Sequence, residues 1–150
     1  MKISTKGQYG LEAMLDLAVN ASEGPVSLKS ISSRQNLPEN YLEQIFLKLR
    51  RSKLVESVRG AQGGYRLARP ADEINVLEVL NALEGPLTPV TCTAANNGKA
   101  CERYATCVSR TLWEKITKIL ESTTAPITLG KLVEQYRKSG WDDGSIEYYI

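Results

Sequence analysis

Three cysteines offer the most legible chemistry in this chain: Cys92, Cys101 and Cys107, in a Cys-x8-Cys-x5-Cys arrangement. Thiolates are soft ligands that suit an iron–sulfur cluster or zinc. Asn96, Asn97 and Gly98 lie between the first two and let the backbone fold the thiolates together. The third cysteine stands at the start of an expected helix, where the helix dipole favours the anionic thiolate. The same cysteines could also do redox chemistry, or be incidental. A closed structural zinc site takes four Cys or His ligands, and this chain has three Cys and no His.

The missing histidine excludes a Ser-His-Asp triad, a Cys-His dyad and a histidine general base. With no Cys-x-x-Cys pair and no Gly-rich phosphate loop, an enzyme is not expected. An odd cysteine count argues against a secreted disulfide scaffold. The N-terminus has no signal-peptide core, and no apolar run approaches the roughly 18 residues of a membrane span. The expected setting is the cytoplasm, with no membrane partner.

The second chemistry is charge. The net charge of +2 over 150 residues hides an asymmetry. Residues 1–69 hold 11 Lys/Arg against 6 Asp/Glu, and residues 70–150 hold 8 against 11. A basic first half suits an anionic partner, most simply double-stranded DNA.

The elements that position these residues follow from periodicity. Apolar residues at helical spacing predict a helix over Thr5–Ala21. Gly24-Pro25 breaks it, and Ser27 caps a short helix to about Gln35. Asn36-Leu37-Pro38 is a turn, and a third helix runs to about Ser52 on the stripe Leu42, Ile45, Phe46 and Leu49. Leu54–Val58 and Tyr65–Leu67 flank a glycine-rich turn and predict a β-hairpin. Asn75 and Glu78 form a capping box for a helix to Glu84. Residues 87–105 lack periodicity. Helices are then expected over Cys107–Ser122 and Leu129–Lys138.

Helix, short helix, turn, helix and hairpin is the order of a winged helix-turn-helix. The third helix would enter the major groove, about 12 Å wide, with Glu39, Asn40, Tyr41, Glu43 and Gln44 at its start. Gln44 can bridge N6 and N7 of adenine, and Glu43 can accept from N4 of cytosine. Lys48, Arg50, Arg51 and the neighbouring Lys53 suit phosphates, and Lys6 and Ser27 are further candidates. Arg59 precedes the tip Gly60-Ala61-Gln62-Gly63. It suits the minor groove, and Gly60, Gln62 and Gly63 suit close backbone approach.

The opening Met1-Lys2-Ile3-Ser4-Thr5-Lys6-Gly7-Gln8-Tyr9-Gly10, the run Tyr41-Leu42-Glu43-Gln44-Ile45-Phe46 and the segment Val58–Tyr65 resemble a family of bacterial winged-helix regulators. That family includes IscR, NsrR, RirA and CymR. The resemblance covers about residues 1–138. It implies a mainly α fold with a small β-hairpin: a winged helix-turn-helix plus a long dimerisation helix. Residues 1–70 would bind DNA, 71–106 would form a linking helix and cysteine loop, and 107–138 would hold the dimerisation helix and a final helix packing back. Residues 139–150 would be an unstructured tail.

The resemblance also implies a homodimer on a pseudo-palindromic operator near iron–sulfur assembly genes, with assembly proteins as further partners. It implies an iron–sulfur cluster on Cys92, Cys101 and Cys107, as 2Fe–2S rather than 4Fe–4S. IscR-like members have five residues between the first two cysteines, where this chain has eight. They also have a histidine three residues after the third cysteine, where this chain has Arg110, a poor ligand. NsrR-like members use an acidic residue from the partner's first helix. Glu12, or Gln8 four residues before it on the same helix face, is therefore the expected fourth ligand. Glu102, Asn96 and Asn97 are weaker candidates, and a small exogenous thiol or water is a further one. An oxygen ligand would leave the cluster labile, as a sensor requires. In IscR-like members the glutamate matching Glu43 disfavours some sites when the cluster is bound. A CymR-like regulator without a cluster, reading thiol or cysteine status through a partner, is the alternative.

Overall fold

In the computed structural model, which describes residues 2–90, 92 and 101–139, helix α1 (Thr5–Val19) leads to α2 (Leu28–Gln35) and α3 (Glu39–Arg51). Strands β1 (Val55–Val58) and β2 (Gly64–Leu67) follow, then α4 (Val76–Glu84), α5 (Ser109–Thr124) and α6 (Leu129–Lys138). Single 3-10 turns occupy Ala21–Glu23 and Ala71–Glu73. The expected tail from Gly140 and the loop residues Asn96 and Asn97 lie outside the described residues. Among those described, no helix is long and apolar enough to cross a membrane.

The first three helices share one core. Met14 and Leu17 of α1, Ile31 of α2, and Leu42, Ile45, Phe46 and Leu49 of α3 are all fully buried in it. Polar residues fix how α1 and α2 cross. Asp16 is 5% exposed. It accepts from Arg34 Nη2 at 2.7 Å and Nε at 2.9 Å, and from Gln35 Nε2 at 2.9 Å. A buried carboxylate is tolerable only when so paired.

Ser27 caps α2 as expected, its hydroxyl accepting from Ser30 N at 3.1 Å. Asn36 ends α2 in the left-handed conformation (φ 52°) that asparagine tolerates. Helix α1 stops at Val19 rather than Ala21. There the Asn20 side chain donates to the Asp16 carbonyl at 2.8 Å and takes up a helix-end acceptor.

The hairpin is a two-stranded antiparallel ribbon with Val55 opposite Leu67 and Val58 opposite Gly64. Tyr65 exchanges two backbone hydrogen bonds of 2.8 Å with Val26, so the ribbon is anchored just before α2. The Tyr65 ring packs 4.8 Å from Phe46. A fully buried phenyl group contributes about 2–3 kcal/mol, and Phe46 thereby ties α3 to the hairpin.

Asn75 and Glu78 make the expected capping box at α4. Helices α4 and α6 also start side by side. Asn75 and Thr128 form an antiparallel bridge, with Val76 N donating to Ile127 O and Leu129 N to Ile74 O, each at 2.8 Å. Thr128 in turn caps α6. Leu129 and Val133 of α6 and Val79 and Leu83 of α4 complete the core of α1–α3. Helix α5 begins at Ser109, two residues after the expected start at Cys107, and none of its residues is buried.

Candidate nucleic-acid interface and cysteine segment

Helix α3 buries one stripe and exposes the opposite arc. Glu39, Asn40, Glu43, Gln44, Arg50 and Arg51 are exposed on that arc, and Lys48 is half-buried at its edge. Three cations in its last turn favour the helix dipole as well as any anionic partner. Leu47, 45% exposed, sits in the middle of this arc. The sequence reading passed it over. Its position between two polar turns, off the buried stripe, was the available signal.

Tyr41 is turned partly inward. Its ring meets Tyr9 edge-on at 6.2 Å, and its hydroxyl lies 3.3 Å from Thr5 Oγ1. Lys6, on the first turn of α1, lies beside Lys48 and holds that ammonium below its usual value. Lys6 thus joins the α3 surface. Ser27 is half-buried and uses its hydroxyl on Ser30.

At the hairpin tip Arg59, Gly60 and Gln62 are exposed. Gly60 has φ +113° and Gly63 N donates back to its carbonyl at 3.0 Å. A methyl at Gly63 would strike the Val58 and Gly60 carbonyls. The turn itself therefore requires glycine at these positions. Gln62 and Gly63 face Ser27, Ser30 and Arg34 across an open groove of about 340 Å3.

Cys92, Cys101 and Cys107 are half-buried, and none forms a disulfide. Among the described residues, no three His, Cys, Asp or Glu side chains come together as a metal site. Cys107 has the most worked surroundings. The Ser109 hydroxyl lies 3.3 Å from its sulfur. That hydroxyl, with the Arg110 and Ser109 backbone amides and the Arg110 charge, lowers the thiol's pKa. Arg110 is also engaged elsewhere. It lies 4.1 Å over the Tyr104 ring and donates to the Tyr104 carbonyl at 2.7 Å. Gln8 and Glu12 are exposed on α1. Glu12 borders a cavity of about 610 Å3 with Leu15, Asp16, Arg34, Gln35 and Tyr136. Glu102 is exposed.

Known proteins resemble this chain along most of its length. The Rrf2 family profile, described as an iron-dependent transcriptional regulator, matches residues 3–135. The chain is similar to the HTH-type transcriptional regulator IscR of Aliivibrio salmonicida, at 43% identity over 133 residues, 89% of this chain and 77% of that one. Among solved structures, IscR of T. potens is 43% identical, with a TM-score of 0.75 over 93% of this chain and 90% of that one. CymR, the global cysteine regulator of B. subtilis, is 41% identical, with a TM-score of 0.73 over 90% of this chain and 98% of that one.

Proposed function

We propose, from the premise that this chain belongs to the Rrf2 family of transcriptional regulators, that it is a homodimeric DNA-binding regulator whose cysteine segment holds an iron–sulfur cluster. The observation that carries DNA binding is the continuous exposed arc of α3, polar at its start and basic at its end, with Lys6 joining its edge. Glu43 and Gln44 suit base edges in the major groove, with Glu39, Asn40 and the Tyr41 hydroxyl beside them. Lys6, Lys48, Arg50 and Arg51 suit phosphates, as does the groove between Ser27 and the hairpin tip at Gln62 and Gly63. Arg59, next to Gly60, suits the minor groove.

Dimerisation is supported by α5. Val108 just before it is 86% exposed, and Leu112 and Ile119 on it are 50% and 57% exposed. Helical spacing puts all three on one stripe. Two such stripes packed together would set the separation of two α3 helices, hence a pseudo-palindromic operator.

The donor set fits an iron–sulfur cluster in its chemistry. Three unpaired thiols lie in one stretch of chain, and Cys107 has a stabilised thiolate. Cys92, Cys101 and Cys107 would hold the group, as 2Fe–2S rather than 4Fe–4S. By the resemblance to NsrR-like members, Glu12 or Gln8 of a second copy would be the fourth donor, since the Arg110 guanidinium has no lone pair to give a metal. Bound there, the group would supply sensitivity to iron supply and oxidants. Arg110 would hold the turn between Cys101 and Cys107 against α5, and the operators would lie near iron–sulfur assembly genes. The likeness to CymR supports a second reading, in which the same DNA-binding half reports cysteine status through a partner and no cluster is held.

Purification without oxygen separates the two. The cluster reading expects a coloured protein containing iron, and loss of both in Cys92→Ala. A colourless wild-type protein that binds its operator fully would sink it and leave the second reading.

A further inference from the structure

Glu84, the last residue of α4, reaches across to the start of α1. Its Oε1 accepts from Ser4 N at 2.9 Å, from Gly7 N at 3.0 Å and from the Ser4 hydroxyl. The first amides of a helix have no partner in their own helix, and an anion there is stabilised by the dipole. Ser4 makes no side-chain cap of its own to α1, so the cap comes from a residue 77 positions after Gly7.

The fit is close. A methyl at Gly7 would overlap the Glu84 side chain, and one at Gly10 would overlap Leu83. The last turn of α4 therefore lies in a glycine-lined face of α1. Lys6 lies between the two capped amides, in the turn of α1 whose Thr5 hydroxyl is 3.3 Å from that of Tyr41 on α3. Lys6 pushes the Lys48 ammonium below its usual value, while Glu84 draws it back up. Two crowded ammonium groups at the rim of the α3 arc are costly alone and become favourable when an anion lies between them.

We propose that Glu84 is a positioning residue for DNA binding: from α4 it clamps the start of α1, so that Lys6 and Lys48 receive one backbone phosphate as a pair. This rests on the DNA-binding reading above and deepens it.

The test uses the full chain and a duplex carrying the site that the wild-type protein enriches from a random library. Glu84→Ala is expected to weaken binding roughly tenfold near 0.1 M salt and to reduce the slope of log K against log salt by about 1, one phosphate contact. Lys6→Ala should do the same, and the double variant should lose little more. Glu84→Gln keeps an acceptor oxygen and should restore the slope. If Glu84→Ala does not fold, Glu84→Asp, which shortens the reach, should show the same loss of slope. A fall in melting temperature with the wild-type salt slope would mean a purely structural role and would overturn the proposal. Gln44→Ala is the control for the reading beneath it, since it should change sequence preference but not slope. If Gln44→Ala behaves so and Glu84→Ala and Glu84→Asp keep the wild-type slope, Glu84 alone is misassigned. If the wild-type protein enriches no site, DNA binding falls, and this inference with it.

Discussion

At the scale of single residues, charge decides what each group can do. The Arg110 guanidinium has five N–H donors and no lone pair to give a metal. It binds the ring and carbonyl of Tyr104 instead, tying the stretch between Cys101 and Cys107 to the first turn of α5. Glu78 shows how charge sets a pH response. Partial burial pushes its carboxyl up, but the Asn75 amide at 3.0 Å and Arg69 Nη2 at 2.7 Å outweigh this, and its pKa lies below the ordinary 4.5. The unfolded chain therefore takes up this proton first as pH falls. The stabilisation is complete above about pH 4.5 and is lost as pH drops through the lower folded value. Glu78→Gln keeps a side chain able to cap, and should remove about 0.3–1 kcal/mol at pH 7 but almost nothing near pH 2.5, allowing for solvent around the ion pair. Thermal melts of both proteins across that range check this. An equal deficit at both ends would refute it.

At the scale of elements, helix ends hold most of the local information. Helix α3 closes with Lys53 N donating to Arg50 O at 2.9 Å and Leu54 N to Leu49 O at 3.0 Å. This is the paired-bond ending that usually has glycine in its left-handed position. Lys53 occupies that position at φ 59°, a conformation that costs a residue with a Cβ about 1 kcal/mol or more. Lys53→Gly should therefore stabilise the fold by about 0.5–1 kcal/mol, relief of strain exceeding the extra freedom of the unfolded chain. Urea unfolding measures it, and a lower midpoint would count against the argument. The position also sets where β1 starts, because the turn brings Leu54 and Val55 directly into the core.

At the scale of the whole molecule, α5 is, among the described residues, the α-helix with no buried side chain. Its apolar stripe faces away from the core that α1–α4 and α6 share, and an exposed apolar stripe of this kind marks an association surface. Leu112→Glu with Ile119→Glu should leave the DNA-binding half folded and turn a dimer into a monomer by sedimentation. Operator affinity should then fall on the order of 100-fold or more, because a single copy grips one half-site. A doubly substituted protein that stays dimeric would place the interface elsewhere.

The sequence alone determined the order and type of every helix and strand described, the capping residues Ser27 and Asn75, and the identity of the three thiols. These depend on local periodicity and on side chains bonding to amides a few residues away. It also supported the family, since motif order needs no coordinates. Only the tertiary structure decided that Asn75 and Thr128 pair, that Arg110 serves Tyr104, that Tyr41 leans on Tyr9 and that Glu84 caps α1. Each joins residues on different elements or across a turn, and no periodic pattern encodes which distant side chain will meet a helix end. The glycines show the same division. Gly7 and Gly10 look like weak points of a helix in sequence, and become the surface that admits α4 once the chain is folded.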